Sequence, residues 1–212
     1  MGVVSLGAET DIRAVIFDVG NVLIRWDPRH LFRKLFADEA AMETFLAEVC
    51  TMEWNVAQDL GRSWADAVAE RIAIFPEHAA LIRAYDERWH EMVTGEIAGS
   101  VRLLEPLAAR AIPLYALTNF SEEKFVETQS RYGFFRHFDG IVVSAREGMI
   151  KPGRAIFERA LSRFDLEPGA TLFIDDSPSN VEVALALGLR AHHFTCANRL
   201  RDELIARKLL EH

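Results

Sequence analysis

Only two of the chain's 212 residues are cysteine, Cys50 and Cys196. That excludes a disulfide framework and any zinc-binding spacing, and two lone thiols fit a reducing compartment. Both are expected to be buried as small apolar residues. No run approaches the roughly 18 apolar residues of a membrane span. Met1 to Thr10 has no basic segment followed by a long apolar stretch, so no secretory leader is expected. The expected setting is the cytoplasm. Basic blocks are missing too: 24 basic against 32 acidic residues give a net charge of −8. Nucleic acid is therefore not an expected partner. An anionic substrate would need strong local positive charge to bind against that field. No internal repeat or low-complexity segment is found.

What the chain has is apolar mass, 50% of its residues, enough for one large domain or a core with a smaller insert. Five short apolar runs read as buried strands: Arg13 to Asp18, Ile112 to Leu117, Ile141 to Ser144, Thr171 to Ile174 and Leu189 to Thr195. Helical patterns fall between the later runs. Examples are a helix started by Ser121-Glu122-Glu123 and one running from Ser177-Pro178 to Gly188. Alternation of this kind predicts a parallel sheet covered on both faces. Between the first two runs lies a long stretch with helical spacing. It includes Leu31 to Phe36 after Asp27-Pro28, Trp64 to Phe75 after a Ser63 cap, and Leu81 to Val93. A connection this long is not a structureless loop, and it predicts an inserted helical domain.

The chemistry-bearing residues fall at strand ends. Asp18 follows the first strand, Thr118-Asn119 the second, Lys151-Pro152 the third and Asp175-Asp176 the fourth. In an open α/β sheet the crevice beyond those ends is where ligands bind. Two acidic strand ends meeting there would repel each other unless a cation lay between them.

Phe17-Asp18-Val19-Gly20-Asn21, Leu117-Thr118-Asn119, Lys151-Pro152 and Phe173-Ile174-Asp175-Asp176, with Asn180 following, resemble the four motifs of the haloacid dehalogenase superfamily. The resemblance covers nearly the whole chain. It implies a Rossmann-like doubly wound parallel sheet core in residues 1–26 and 97–212, with residues 27–96 inserted as an α-helical C1 cap. The first motif is most similar to that of small bacterial sugar-phosphate phosphatases of the glucose 1-phosphate type. The implied activity is Mg²⁺-dependent hydrolysis of a small phosphomonoester through an aspartyl-phosphate, by a monomer or homodimer.

In that reading Asp18 is the nucleophile and a metal ligand, Asp176 supplies a second carboxylate and the Gly20 carbonyl a third oxygen. Asp175 stands beside them, orienting a metal-bound water. Such hard oxygen donors suit Mg²⁺. Lys151 balances the carboxylates and pairs with phosphate oxygens. The Thr118 hydroxyl and the N–H groups from Asn119 to Ser121 bind phosphate. Asn180 either braces the loop carrying Asp176 or lies on a helix surface. Lys151→Ala is expected to lose activity more than stability.

One element of the pattern is missing. Most phosphatases of the superfamily carry a second Asp two residues after the nucleophile, where this chain has Gly20. Such acid–base help is worth about 10²–10⁴-fold. Three explanations compete: the leaving oxygen needs less protonation, another group supplies the proton, with Asn21, His30, His90 and Glu91 as candidates, or the protein is a poor phosphatase; the first two are favoured. Metal-independent 2-haloacid dehalogenases also lack that Asp, but the acidic pair at 175–176 favours a metal and phosphate over that alternative. A non-catalytic binding protein that kept the fold is a second alternative, to which Asp18 would be of no use. Among the tryptophans, Trp26 and Trp54 are the candidates to face substrate, and Trp64 and Trp89 read as cap core. His192-His193 are neighbours on a strand, so their side chains point to opposite faces.

Overall fold

Strands without polar alternation need cover on both faces, and the chain supplies it. The computed structural model describes residues 11–211, so the reading of Met1 to Thr10 lies outside the described residues. β1 (Ala14–Phe17) leads into β2 (Ile24–Trp26). Helices α1 (Arg29–Phe32), α2 (Glu39–Glu48), α3 (Met52–Asp59), α4 (Trp64–Ile74) and α5 (Ala79–Glu87) follow. β3 (Val93–Glu96) then returns the chain to α6 (Ala98–Ala109). Strands and helices alternate from there: β4 (Leu114–Thr118), α7 (Glu122–Arg131), β5 (Gly140–Val143), α8 (Ser144–Glu147), α9 (Arg154–Arg163), β6 (Thr171–Asp175), α10 (Pro178–Ala186), β7 (Arg190–His193) and α11 (Ala197–Ala206).

All five expected strands pair in one parallel sheet of order β5-β4-β1-β6-β7. The chain runs outward from β1 through β4 to β5, then crosses back to β6 on the other side. The crevice at that reversal is the usual ligand site of such sheets. Register places Phe17 opposite Ile174, so Asp18 and Asp175 come out side by side.

Successive residues of β1 point to opposite faces. Ile16 joins Leu117, Phe157 and Phe173 on one face. Val15 and Phe17 join a larger cluster that runs through Phe32, Phe45, Trp54, Trp64 and Tyr85 of the helical segment. That segment is therefore packed as a continuation of one face of the sheet. The expected Ser63 cap is present, its hydroxyl accepting from the Asp66 N–H at 3.1 Å, and Thr51, not singled out in the sequence, caps α3 by accepting from the Trp54 N–H at 3.0 Å.

Four expectations are corrected. Val93 lies in β3, not in a helical stripe, because it pairs antiparallel with Trp26 in a two-stranded ribbon. Ser121 holds the N-cap position of α7 but its hydroxyl makes no cap bond, accepting instead from Trp64 Nε1 at 2.8 Å. Cys196 is exposed at the start of α11, while Cys50 is buried. Trp54 is core, packed edge-on against Trp64 and Tyr85. Among the described residues no helix is long and apolar enough to cross a membrane.

Candidate active site

At the carboxyl end of the sheet, Lys151 is buried between two carboxylates. Its Nζ lies 2.9 Å from Asp18 Oδ1 and 2.7 Å from Asp175 Oδ2. Backbone hydrogen bonds hold Asp18 at the mouth of β1: its N–H donates to the Ile174 carbonyl at 2.8 Å, and its Oδ1 accepts from the Val19 N–H at 2.7 Å. Asp175 is held from every side. Asn180 Nδ2 donates to both its oxygens at 2.9 and 3.0 Å, and the Ser177 N–H donates to Oδ1 at 2.8 Å. Asn180 is thus a brace, not a surface residue. Asp176 completes the cluster, and oxygens of Asp18, Asp175 and Asp176 lie within 4.8 Å of one another.

Three carboxylates around one ammonium leave excess negative charge in a buried place. Burial first, then repulsion from Asp175 and Asp176, push the Asp18 carboxyl up to about 7 despite Lys151. Asp176 is raised for the same two reasons. Lys151 is raised because the attraction of Asp18 and Asp175 outweighs its burial. A hard divalent cation fits this donor set: oxygen ligands, converging atoms and charge to be neutralised. Asp18 and Asp176 have oxygens to offer it, whereas both Asp175 oxygens are hydrogen-bonded to protein groups.

The Asn119 side chain clamps the lysine loop, donating to the Lys151 carbonyl and accepting from the Lys151 N–H, both at 2.9 Å. Thr118 is buried at the end of β4. The expected N–H cradle at 119–121 is partly occupied. The Phe120 N–H donates to Ser144 Oγ at 2.9 Å.

Beside the cluster is a cavity of about 210 Å³, with walls formed by Trp26, Met52, Val56, Trp64, Trp89 and Phe120. Trp64 and Trp89, expected as core, thus also face this space. Its polar lining is Gly20, Asn55, Asp59, Asn119 and Ser121. None of the four proton donors suggested by sequence lies there. Asn21 sits in a left-handed turn with its Oδ1 accepting from the Trp26 N–H at 3.0 Å. Glu91 is held ionised, down to about 2, by hydrogen bonds from Arg88 and then Lys34. His90 points to Glu127, and His30 is outside the lining. Asp59, which sequence reasoning passed over, does line it. It carries a hint: a carboxylate in the last turn of a helix sits at the negative end of the macrodipole, where it is unfavourable.

A haloacid dehalogenase-like hydrolase model matches residues 12–188. The chain belongs to that family and is a hydrolase. Among curated relatives, the sesquiterpene phosphatase AstK of Aspergillus oryzae is 27% identical over 88% of this chain and 91% of its own length. Two longer relatives, from Mus musculus and Aspergillus calidoustus, are spanned over only 17% and 36% of their lengths. A family enzyme of Bacteroides thetaiotaomicron, solved as an Asp-to-Ala mutant with magnesium and inorganic phosphate, superimposes with a TM-score of 0.69. It is 20% identical, with 87% of this chain and 95% of that one covered. An L-2-haloacid dehalogenase of Xanthobacter autotrophicus follows at TM-score 0.63 and 15% identity, over 92% and 83%. At these identities the two structures show a shared fold.

Proposed function

We propose that the chain is a Mg²⁺-dependent phosphomonoester hydrolase working through an aspartyl-phosphate at Asp18. The carrying observation is the convergence of Asp18, Asp175 and Asp176 around Lys151. A metal-free displacement has no use for the extra acidic pair. The magnesium and phosphate bound by the Bacteroides enzyme, and the phosphatase activity named for AstK, support the same reading.

Asp18 attacks phosphorus and the bond to the leaving oxygen breaks. Lys151 holds the nucleophile in place and, with the Thr118 hydroxyl, faces the phosphoryl oxygens. Asp175, itself fixed by Asn180, keeps Lys151 charged and aimed. Asp18, Asp176 and the Gly20 carbonyl would hold Mg²⁺, which supplies neutralisation of phosphoryl charge when bound. Water then releases phosphate from Asp18. Residues 27–96 act as a cap on the core of 1–26 and 97–212, and the cavity between their residues receives the alcohol part. The expected setting remains the cytoplasm.

The substrate is a small organic monoester. The sugar phosphate suggested by the first motif fits less well than an apolar alcohol, because six of the wall side chains are apolar or aromatic. The sesquiterpene phosphatase relative favours the same class. The volume is below the ~300–1,000 Å³ typical of drug-sized ligands, which favours a short alcohol.

The test is a panel of prenyl and other alkyl phosphates, sugar phosphates and 2-haloacids, each with Mg²⁺ or chelator. Mg²⁺-dependent phosphate release, lost in Asp18→Asn, is expected. Halide release that survives chelation would overturn the assignment.

A further inference from the structure

An alkyl alcohol leaves badly as an alkoxide, so the reaction proposed above needs a proton at the leaving oxygen. Lys151 is committed to two carboxylates, and Gly20 offers no side chain. Resting on that phosphatase reading, we propose that Asp59, lining the same cavity as Gly20 and Asn119, is the catalytic acid and base that this site otherwise lacks.

Its position is fixed from the core side. The Asp59 carbonyl accepts from Ser144 Oγ at 2.6 Å, the hydroxyl that also takes the Phe120 N–H. Its carboxyl has Asn55 Nδ2 at 3.3 Å from Oδ2. Just beyond, Gly61 at φ +103° lets the turn pass close to α8, where a Cβ would stand 3.0 Å from the Ala145 carbonyl oxygen. Asp59 is thus carried by the helical segment yet joined through the Ser144 hydroxyl to Phe120 in the loop that follows Thr118.

Its surroundings keep a proton available. Burial pushes the carboxyl up to about 7, against the pull of the Ser121 N–H. No cation is among the groups that shift the Asp59 carboxyl, and the basic side chains on the elements around it are paired. Arg62 is paired with Glu70, Lys124 with Asp86 and Arg146 with Glu122. Glu147 of α8 is taken by Arg159 and Arg163. Tyr85 of α5 feels the Asp59 charge, and burial keeps it neutral.

The balance closes over two steps. As the Asp18 oxygen bonds to phosphorus and the ester P–O bond breaks, the Asp59 carboxyl gives its proton to the departing oxygen, releasing a neutral alcohol. Asp59, now a carboxylate, takes a proton from the water that attacks the phosphorus. Asp18 leaves as a carboxylate, inorganic phosphate forms and Asp59 is protonated again.

The experiment measures kcat/KM with Mg²⁺ for phosphomonoesters graded in leaving-group acidity, from p-nitrophenyl phosphate to alkyl phosphates. It uses wild type, Asp59→Asn and the double variant Gly20→Asp with Asp59→Asn. Asp59→Asn is expected to lose about 10²–10⁴-fold on alkyl esters and at least about tenfold less on the p-nitrophenyl ester, which needs no proton. The double variant is expected to regain most of the alkyl activity, since a Cβ at position 20 meets nothing within 4 Å. An equal loss across the series would overturn the inference. Should Asp59→Asn fail to fold, wild type alone decides: a shallow dependence on leaving-group acidity supports Asp59, and a steep one removes it. No phosphate from any ester would sink the phosphatase reading itself, which a steep dependence leaves standing.

Discussion

Lys151 is one of a few polar residues of this chain buried at the catalytic end of the sheet. Removing one partner of a buried charged pair costs about 3–5 kcal/mol, and Lys151 serves two pairs. Lys151→Ala, expected to lose activity more than stability, should therefore lose a measurable amount of both. It should lower Tm by roughly 6–20 °C, at about 2–4 °C per kcal/mol for a chain of this size, as well as abolish turnover. Adding Asp175→Asn should recover part of the Tm but none of the activity, as thermal denaturation and phosphate assays would show. Asp59 behaves in the opposite sense. Its carboxyl is raised from 3.8 to about 7 on folding, so the folded state holds its proton longer than the unfolded one. Wild type then loses stability as pH rises from about 4 to 7. Asp59→Asn should match wild type in Tm near pH 4, gain on it through that window, and stay a constant few degrees above it beyond pH 7. A gap independent of pH would show that the site does not burden the fold. Asp18, Lys151 and Asp175-Asp176 were legible in sequence because each follows an apolar strand. Asp59 follows nothing of the kind. It ends a helix of mixed composition, and only the turn that seats it against α8 makes it part of the site.

At the level of elements, continuous apolar runs and capped amphipathic stretches identified the sheet strands and most helices. The ribbon of β2 and β3 was not legible. Its strands are three and four residues long, and Val93 fits the helical spacing of the preceding stripe as well as it fits a strand. The α3–α4 turn is where element geometry and site meet. Gly61→Ala places a side chain at positive φ against the Ala145 carbonyl. It should cost about 1–2 kcal/mol and shift Asp59, lowering kcat/KM on alkyl phosphates more than Tm alone explains. Gly20→Ala, with open space around the new methyl, should leave Tm within about 1 °C. Measuring the two side by side separates a glycine required by backbone geometry from one that is not.

Across the whole molecule, a net charge of −8 and the acidic cluster at the sheet end mean that, on the proposed function, a divalent cation would stabilise the fold as well as serve the reaction. Binding only to the folded state at 100 times Kd contributes about 2.7 kcal/mol. Mg²⁺ should therefore raise Tm by roughly 5–11 °C, chelator should reverse the rise, and Asp176→Ala should remove it. A Tm indifferent to Mg²⁺ would mean that the carboxylates do not share an ion. The antiparallel ribbon has a further consequence. Ile24 and Glu96 are paired neighbours, so the chain departs and comes back through one hydrogen-bonded gate, and the length of what hangs from it adds little closure entropy. On the proposed function, a helical segment grafted from a relative at this gate is expected to change which alcohols are accepted. Because Asp59 belongs to the insert, the graft would also bring its own proton source or lack one, so alcohol choice and tolerance of poor leaving groups would be inherited together.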